Sequence, residues 1–421
     1  MKVKIENFGP IHDGEFELGD ITVIIGPNAS GKSFISLLLY SVLGTRILTN
    51  LKDLEGIKRI SNEINLSSYL TVIDDILSRH IKKRLEKTFG VQYKDLISFQ
   101  SKESKISLSS SRGSIDITMG DEFKVITKLN KDINIFINYI EEKEIPFGSI
   151  TTKVDIGKLD SDDTIKIEIY YGSNAPEILK SNLNKLLENE RKRALITIII
   201  NVYLDLLFGK YRPVTILPTE RNLAISNFIG YLSTYISLEK LSKNIDKPIV
   251  RIFIRNLLNS MRIFKNKKFS INMSNLNLQY KVVEPFVLEI YENDKRILIP
   301  LLSSGYSQII PIDIVAKLGR FIIIEEPELN LHAGAQIDMA NYLSNMAQGN
   351  KKLFLTTHSD LFTIQMTINH VKRNDKNKTL KIYLLNNGKI EEIKYTDKGD
   401  VEEIPTISEV IRNQVKEIYG E

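Results

Sequence analysis

Residues Gly26-Pro27-Asn28-Ala29-Ser30-Gly31-Lys32-Ser33 follow the pattern glycine, any four residues, glycine, lysine, serine. The chemistry of that spacing is phosphate binding. Gly26 and Gly31 permit a tight turn in which successive N–H groups point inward, Lys32 reaches the β- and γ-phosphates of a triphosphate, and Ser33 offers a hydroxyl to Mg2+. A second group lies far along the chain, where the apolar run Phe321 to Ile324 ends in Glu325 and Glu326. A buried strand of this kind delivers carboxylates to the edge of a sheet. Glu325 suits the shell of a Mg2+ ion beside a triphosphate, and Glu326 suits the orientation and deprotonation of an attacking water. Standing alone, the two acids would read as a solvated strand end. Ser303 and Gly305, within LSSGYSQ (Leu302 to Gln308), stand where a helix begins, and its free N–H groups and dipole attract a further anion. Taken singly, Ser303 reads equally well as a plain helix cap. His358 closes another apolar run, KLFLTT, just before Ser359, and is placed to bond a γ-phosphate or the attacking water.

Strands and helices must hold these groups in place. Lys2 to Asn7 and the β-branched run Ile21 to Ile25 read as strands, and Phe34 to Gly44 as the helix that follows the glycine loop. The same alternation returns from Leu298: a helix after LSSG, the strand RFIIIEE, the helix from His332 to Gly349, the strand before His358, a strand pair around Asn386-Asn387-Gly388, and a closing helix. Between about residues 45 and 295 the chain is polar and rich in Lys, Asn and Ser. Helices are predicted there near 52–90, 177–209 and 234–265, and period-two strands over Ser104 to Gly120 and Thr164 to Gly172. The predicted organisation is therefore an α/β head in two pieces, residues 1–45 and 296–421, split by an insertion over 46–295 of which a part near 213–222 returns to the head. A chain with two phosphate-type sites closes most economically as a two-fold dimer, each Ser303 site covering the nucleotide of the other copy.

The composition narrows the chemistry further. Of 421 residues, 42% are hydrophobic and 26% charged, as in soluble globular proteins. Leu195 to Phe208 carries Asn201 and Asp205 and falls short of the roughly 20 apolar residues of a membrane span, and Met1 opens directly on a strand, so the expectation is a cytoplasmic protein without membrane contact or signal peptide. The absence of cysteine excludes disulfides, a thiolate nucleophile and cysteine-bound zinc or iron–sulfur clusters. A net charge of +5 is modest, and the basic runs at 82–84, 191–193 and 265–268 read as solvated helix faces, leaving DNA a lesser candidate partner than a protein.

With the four motifs in order, the chain resembles the ABC-type ATPases, and their SMC-like branch in particular. The resemblance is carried by GPNASGKS (Walker A), LSSGYSQ (signature), FIIIEEPELNLH (Walker B and D-loop) and the switch histidine of TTHS, covering the first ~45 residues and roughly the last 120. EEPELNLH, with Glu325 where most ABC ATPases have Asp, is similar to the overcoming-lysogenization-defect class and to ATPase subunits of the anti-phage systems Septu, Gabija and PARIS. IENFGPIHDGEFEL and VTILPTER are similar to that group too. The resemblance implies an α/β ABC-type P-loop NTPase head split by a long mixed α+β insertion, with ATP and Mg2+ as ligands. It also implies an ATP-sandwich homodimer or higher oligomer, ATP hydrolysis, and a separate protein effector such as a nuclease or toxin. The sequence departs from the family pattern at Ser304, at Tyr306 and in the longer Glu325 side chain, and Gln92 and Gln100 are both candidates for the Q-loop glutamine. Arg221 is open to a phosphate, an acidic partner surface or a surface salt bridge.

The separation of 271 residues from Lys32 to Ser303 argues against a transporter's nucleotide-binding domain, and the missing cysteines against a zinc-hooked repair protein. The 63 residues beyond His358 leave too little chain for an appended TOPRIM domain. Two classes of function stay open: an ATPase that licenses a partner or acts on DNA, in defence or in genome maintenance, and a scaffold assembled by nucleotide with little hydrolysis.

Overall fold

The computed structural model describes residues 1–49, 63–142, 150–155, 164–172, 180–221, 247–273, 276–284, 287–347, 349–373, 378–401 and 405–419. Its centre is an eleven-stranded sheet in the order Val214–Leu217, Phe321–Glu325, Lys352–Thr357, Ile21–Ile25, Leu380–Asn386, Lys389–Glu392, Ile11–Glu17, Lys2–Phe8, Ser104–Ser110, Gly113–Met119, Phe123–Leu129. The first five strands run parallel. Every residue of Ile21–Ile25 and of Phe321–Glu325 is buried, the pattern of strands covered on both faces. The helix Lys32–Leu43 packs against Val214–Leu217, Phe321–Glu325 and Lys352–Thr357, and the helix Asp360–Lys372 against Ile21–Ile25.

Register sets the site. Leu217 lies opposite Ile324, Glu325 opposite Thr356, and Thr357 opposite Ile25, so four parallel strands end level with one another. The residues just beyond those ends, 218–221, 326–328, 358–359 and 26–33, therefore meet at one edge of the sheet.

The other half of the sheet is antiparallel from Ile11–Glu17 outward. Gly113–Met119 alternates buried and half-buried residues, a strand with one face to the core. The helix Leu70–Phe89 covers this end, burying Ile73, Ile76, Leu77, Ile81 and Leu85 on one stripe and stopping at a left-handed Gly90. The segment 46–295 thus contributes Ser104–Ser110, Gly113–Met119 and Phe123–Leu129 to the main sheet in addition to Val214–Leu217; period-two alternation reveals a half-buried strand but not the sheet it joins. Two smaller sheets also arise from it: Glu63–Asn65, Asn134–Glu142, Thr164–Gly172 and Ile150–Asp155, and the meander Lys268–Met273, Leu276–Glu284, Val287–Glu292, Lys295–Ile297.

The helices Lys180–Phe208 and Pro248–Ile263 lie where helices are predicted near 177–209 and 234–265; of the one predicted near 52–90, Leu70–Phe89 is α-helical while Glu63–Asn65 is a strand, and the predicted portions over 52–62, 177–179 and 234–246 fall outside the described residues. Lys192–Tyr211 is long and apolar enough by composition to cross a bilayer, yet 61% of it is buried inside the fold. Ile200, Tyr203 and Leu204 sit in the core, as expected of a central helix.

Candidate functional site

The phosphate loop closes the gap between Ile21–Ile25 and the helix Lys32–Leu43. A Cβ on Gly26 would stand 2.2 Å from the carbonyl oxygen of Leu385, so no side chain fits there. Ala29 (φ +60°) and Gly31 (φ +111°) are left-handed and turn the loop back on itself. Gly31 caps the helix without a side-chain bond and no acid occupies the first turn, which leaves the N-terminal N–H groups free for an anion. Pro27, Asn28 and Ala29 are exposed, Ser30 half-buried. Lys32 is 5% exposed and folds back on the loop, donating to the Gly26 oxygen (2.9 Å) and the Pro27 oxygen (2.8 Å), with His358 Nδ1 at 3.4 Å. Burial pushes its ammonium down to about 8, against the attraction of Glu326, Glu328 and Glu325.

Three carboxylates follow the acid strand, each in a different setting. Glu325 is 4% exposed, and burial pushes its carboxyl up to about 7 although Ser33 donates a hydrogen bond to it. Its Oε1 is buried without a partner. A buried, orphaned carboxylate oxygen beside a serine hydroxyl is a hard-oxygen donor pair that fits Mg2+. Among the described residues no group of three or more His, Asp or Glu could hold a metal, so the remaining ligands would have to come from a nucleotide and water. Glu326 is left-handed (φ +45°), half-buried, and has Oε1 3.4 Å from His358 Nε2; the hydrogen bond from His358 holds its carboxyl below the usual range against the opposing effect of burial. Glu328 is buried. Its Oε1 accepts from Thr357 Oγ1 (2.6 Å) and from the His358 N–H (2.9 Å), while Oε2 has no partner, and burial raises its carboxyl.

The structure brings together Gly26, Pro27, Asn28, Ala29, Ser30, Gly31, Lys32, Ser33, Glu325, Glu326 and His358. Ser303 and Gly305 make no hydrogen bond to residues 26–33 among the described residues. Ser303 is exposed and caps the helix Ser304–Ala316 by accepting from the Tyr306 N–H (3.3 Å). A Cβ on Gly305 would meet Leu331 Cδ2 at 3.2 Å, which places this turn against the loop after the acids. The meander sheet holds the helix from behind, through Tyr280 to Asp313 and Tyr306 to Glu292, with Tyr342 donating to Asp313 at 2.5 Å. Gln92 and Gln100 are exposed and make no bond to the phosphate loop.

Two groups escape the sequence reading. Glu328 was legible only as the third acid of EEPE, with nothing in its spacing to reveal that it seats His358. Arg221 is corrected outright: it reaches neither a surface acid nor open solvent. It is 0% exposed, donating from Nη1 to the Pro218 oxygen (3.1 Å) and the Glu325 oxygen (2.6 Å) and from Nη2 to the Glu326 oxygen (2.7 Å). The reason is topological. Val214–Leu217 pairs with the acid strand, and the tight turn Thr219–Arg221 carries the arginine beneath the end of that strand. Burial lowers its guanidinium to about 10, offset by the attraction of Glu328, then Glu325, Glu326 and Glu220.

A family model described as an AAA ATPase domain matches residues 1–363, a span that contains every group described above. A parallel sheet with a phosphate loop at its edge, here extended by antiparallel strands and two further sheets, is the mixed α/β fold of a P-loop NTPase head. Among solved structures, an SMC head bound to the C-winged helix domain of ScpA aligns over 93% of this chain and 96% of its own at 13% identity, with a TM-score of 0.40. The SMC head domain from Thermotoga maritima aligns over 94% and 98% at 11% identity (TM-score 0.36). The recombination mediator RecF, in its ATPγS-type complex of the RecFOR pathway, aligns over 93% and 97% at 12% identity (TM-score 0.31). No curated protein matches the sequence.

Proposed function

Because this chain belongs to the AAA ATPase domain family, we propose that it binds ATP in residues 26–33, closes as a homodimer around the nucleotide, and hydrolyses it to control a separate effector. The observation that supports this is the meeting of Lys32, Ser33, Glu325, Glu326 and His358 at the ends of four level strands. In the proposed cycle Lys32 exchanges the carbonyls of Gly26 and Pro27 for the β- and γ-phosphates. Ser33 and Glu325 would hold Mg2+, which would neutralise phosphate charge when bound. Glu326, kept ionised by its contact with His358, takes the proton of the attacking water. Ser303 is exposed, and it and the half-buried Gly305 are assigned to the nucleotide held by the second copy.

The effector is proposed to be a protein such as a nuclease or toxin, in anti-phage defence, with the surfaces that 46–295 adds to the head as its landing place. A second reading, direct contact with nucleic acid, is favoured by one feature: Lys82, Lys87, Lys94 and Arg251 line a groove of about 990 Å³ with only Glu86 and Asp95 as acids. The decisive test of the core proposal is Glu326→Gln. Its ATP affinity should stay within about threefold of the parent while turnover falls on the order of 10²–10⁴-fold, and ATP should trap a dimer in size-exclusion chromatography. Wild-type turnover in this variant would remove Glu326 from the chemistry.

A further inference from the structure

Glu326 adopts a conformation that a glutamate disfavours, with φ at +45° in the left-handed region. Something must hold it there. Its own N–H donates to the Thr356 oxygen (2.8 Å), which ties one side to the neighbouring strand. Its carbonyl oxygen accepts from the Leu329 N–H (3.1 Å), and a guanidinium adds the two side-chain bonds. Arg221 Nη1 binds the carbonyl oxygen of Glu325 and Nη2 that of Glu326, at 2.6 and 2.7 Å. These two carbonyls belong to the peptide planes on either side of the Glu326 Cα, so fixing both fixes φ and ψ at that residue, and with them the direction of its Cβ. That direction sends the carboxylate to His358.

From this geometry we infer that Arg221 is a positioning residue that locks Glu326 in its left-handed conformation and so aims the water-activating carboxylate. The role rests on the hydrolysis proposed for Glu326. A planar fork of fixed donors suits the task, whereas a lysine offers one ammonium that cannot span two consecutive carbonyls in fixed geometry. Among the described residues Arg221 makes no hydrogen bond to the phosphate loop or to His358; its bonds go to the Pro218 carbonyl and the backbone of the acids, through which it acts. The clamp also has an outer support. Glu220, adjacent to Arg221, is paired with Lys247 at the start of the helix Pro248–Ile263, and that helix packs on the Thr219–Arg221 turn. A segment between the phosphate loop and the signature turn thereby sets the geometry of the catalytic acid.

The test compares Arg221→Lys, Arg221→Gln, Glu326→Gln and the double variant Arg221→Lys/Glu326→Gln, in the full chain with ATP and Mg2+. Thermal unfolding, ATP dissociation constant, kcat and KM are measured for each. Expected for Arg221→Lys are an ATP affinity within about threefold of the parent and a kcat lowered on the order of 30-fold or more, since small misplacements of a catalytic group cost rate rather than binding. In the double variant the Arg221 change should cost nothing further, because its only route to the chemistry is gone. Losses that multiply in the double variant, or a fall in affinity that matches the fall in kcat, would make Arg221 a fold-supporting arginine and overturn the inference. So would failure of both Arg221→Lys and Arg221→Gln to fold. Full turnover in Arg221→Lys beside a dead Glu326→Gln overturns the clamp and leaves the hydrolytic role standing, whereas full turnover in Glu326→Gln strikes at the hydrolytic role itself.

Discussion

The helix N-termini at Lys32 and Ser304 both carry the sequence marks of an anion site, and they are built differently. At the start of Lys32–Leu43 the cap is a left-handed glycine with no side-chain bond, the neighbouring lysine is buried, and three carboxylates stand within electrostatic reach. At the start of Ser304–Ala316 the cap is an exposed serine that satisfies its own helix by accepting from Tyr306, with no bond to the acids or to His358 among the described residues. The first end is strained and complete, with chemistry assembled around it. The second is relaxed and incomplete, its helix tied to the meander sheet by Asp313 with Tyr280 and by Tyr306 with Glu292. The difference teaches that the ends are unequally equipped, and the proposal gives them unequal roles: the first to hold a nucleotide within the chain, the second to meet the nucleotide of a second copy.

The largest effect should come from Lys32→Ala. In the proposal the buried ammonium is the charge that meets the phosphates, and its removal should weaken ATP binding on the order of 100-fold or more by calorimetry. Unchanged affinity would reverse the ranking of the two ends. Next comes Ser303→Arg, which should leave ATP binding by the single chain within about twofold while abolishing the ATP-dependent dimer in light scattering. Mixing it with Lys32→Ala sharpens the contrast, because one interface of the mixed dimer then joins two intact motifs. Some hydrolysis should return, and confirmed mixed dimers without any recovery would mean that the second end serves its own chain.

The smallest effect is on stability and concerns the cost of the first end. Glu325 has its carboxyl raised from 4.5 to about 7 by burial. Between those values the folded chain holds a proton that the unfolded chain has released, so this group's contribution falls as pH rises from about 4.5 to about 7, and the full penalty applies above. Without nucleotide or Mg2+, Glu325→Gln should therefore raise thermal stability relative to the parent at pH 8 by up to ~3 kcal/mol and by little near pH 4.5. A difference between the two proteins that does not change with pH would contradict the buried, orphaned state of this carboxylate. Adding Mg2+ and nucleotide should narrow the gap by stabilising the parent alone.

Much of this site is written in the order of residues. Glycine, lysine and serine at fixed spacing make a phosphate loop because backbone N–H groups, a charge and a hydroxyl must lie within a few residues of one another. Two acids after four apolar residues reach a sheet edge because a buried strand has nowhere else to put them. The paired roles of Lys32 and Ser33, the acids at 325 and 326, His358, and the cap at Ser303 all follow from local pattern. So do Ile21–Ile25, Phe321–Glu325 and Lys352–Thr357, whose short, largely apolar runs read as buried strands.

What only the tertiary structure decides is how segments far apart in the chain share one edge. Register between Phe321–Glu325, Lys352–Thr357 and Ile21–Ile25 depends on strand pairing across hundreds of residues, and no local periodicity encodes it. The alternating strands of 104–129 show which of their faces is wet but not that they extend the main sheet beyond Lys2–Phe8. Arg221 is the sharpest case. Its type suggests an exposed ion pair, since a lone charge is costly to bury, and only the fold supplies three backbone carbonyls and a cluster of acids to offset that cost. Sequence determines which groups can do the chemistry, because that is a property of side chains and short spacings. The fold determines which of them meet and in what conformation, because that depends on long-range burial and hydrogen bonding.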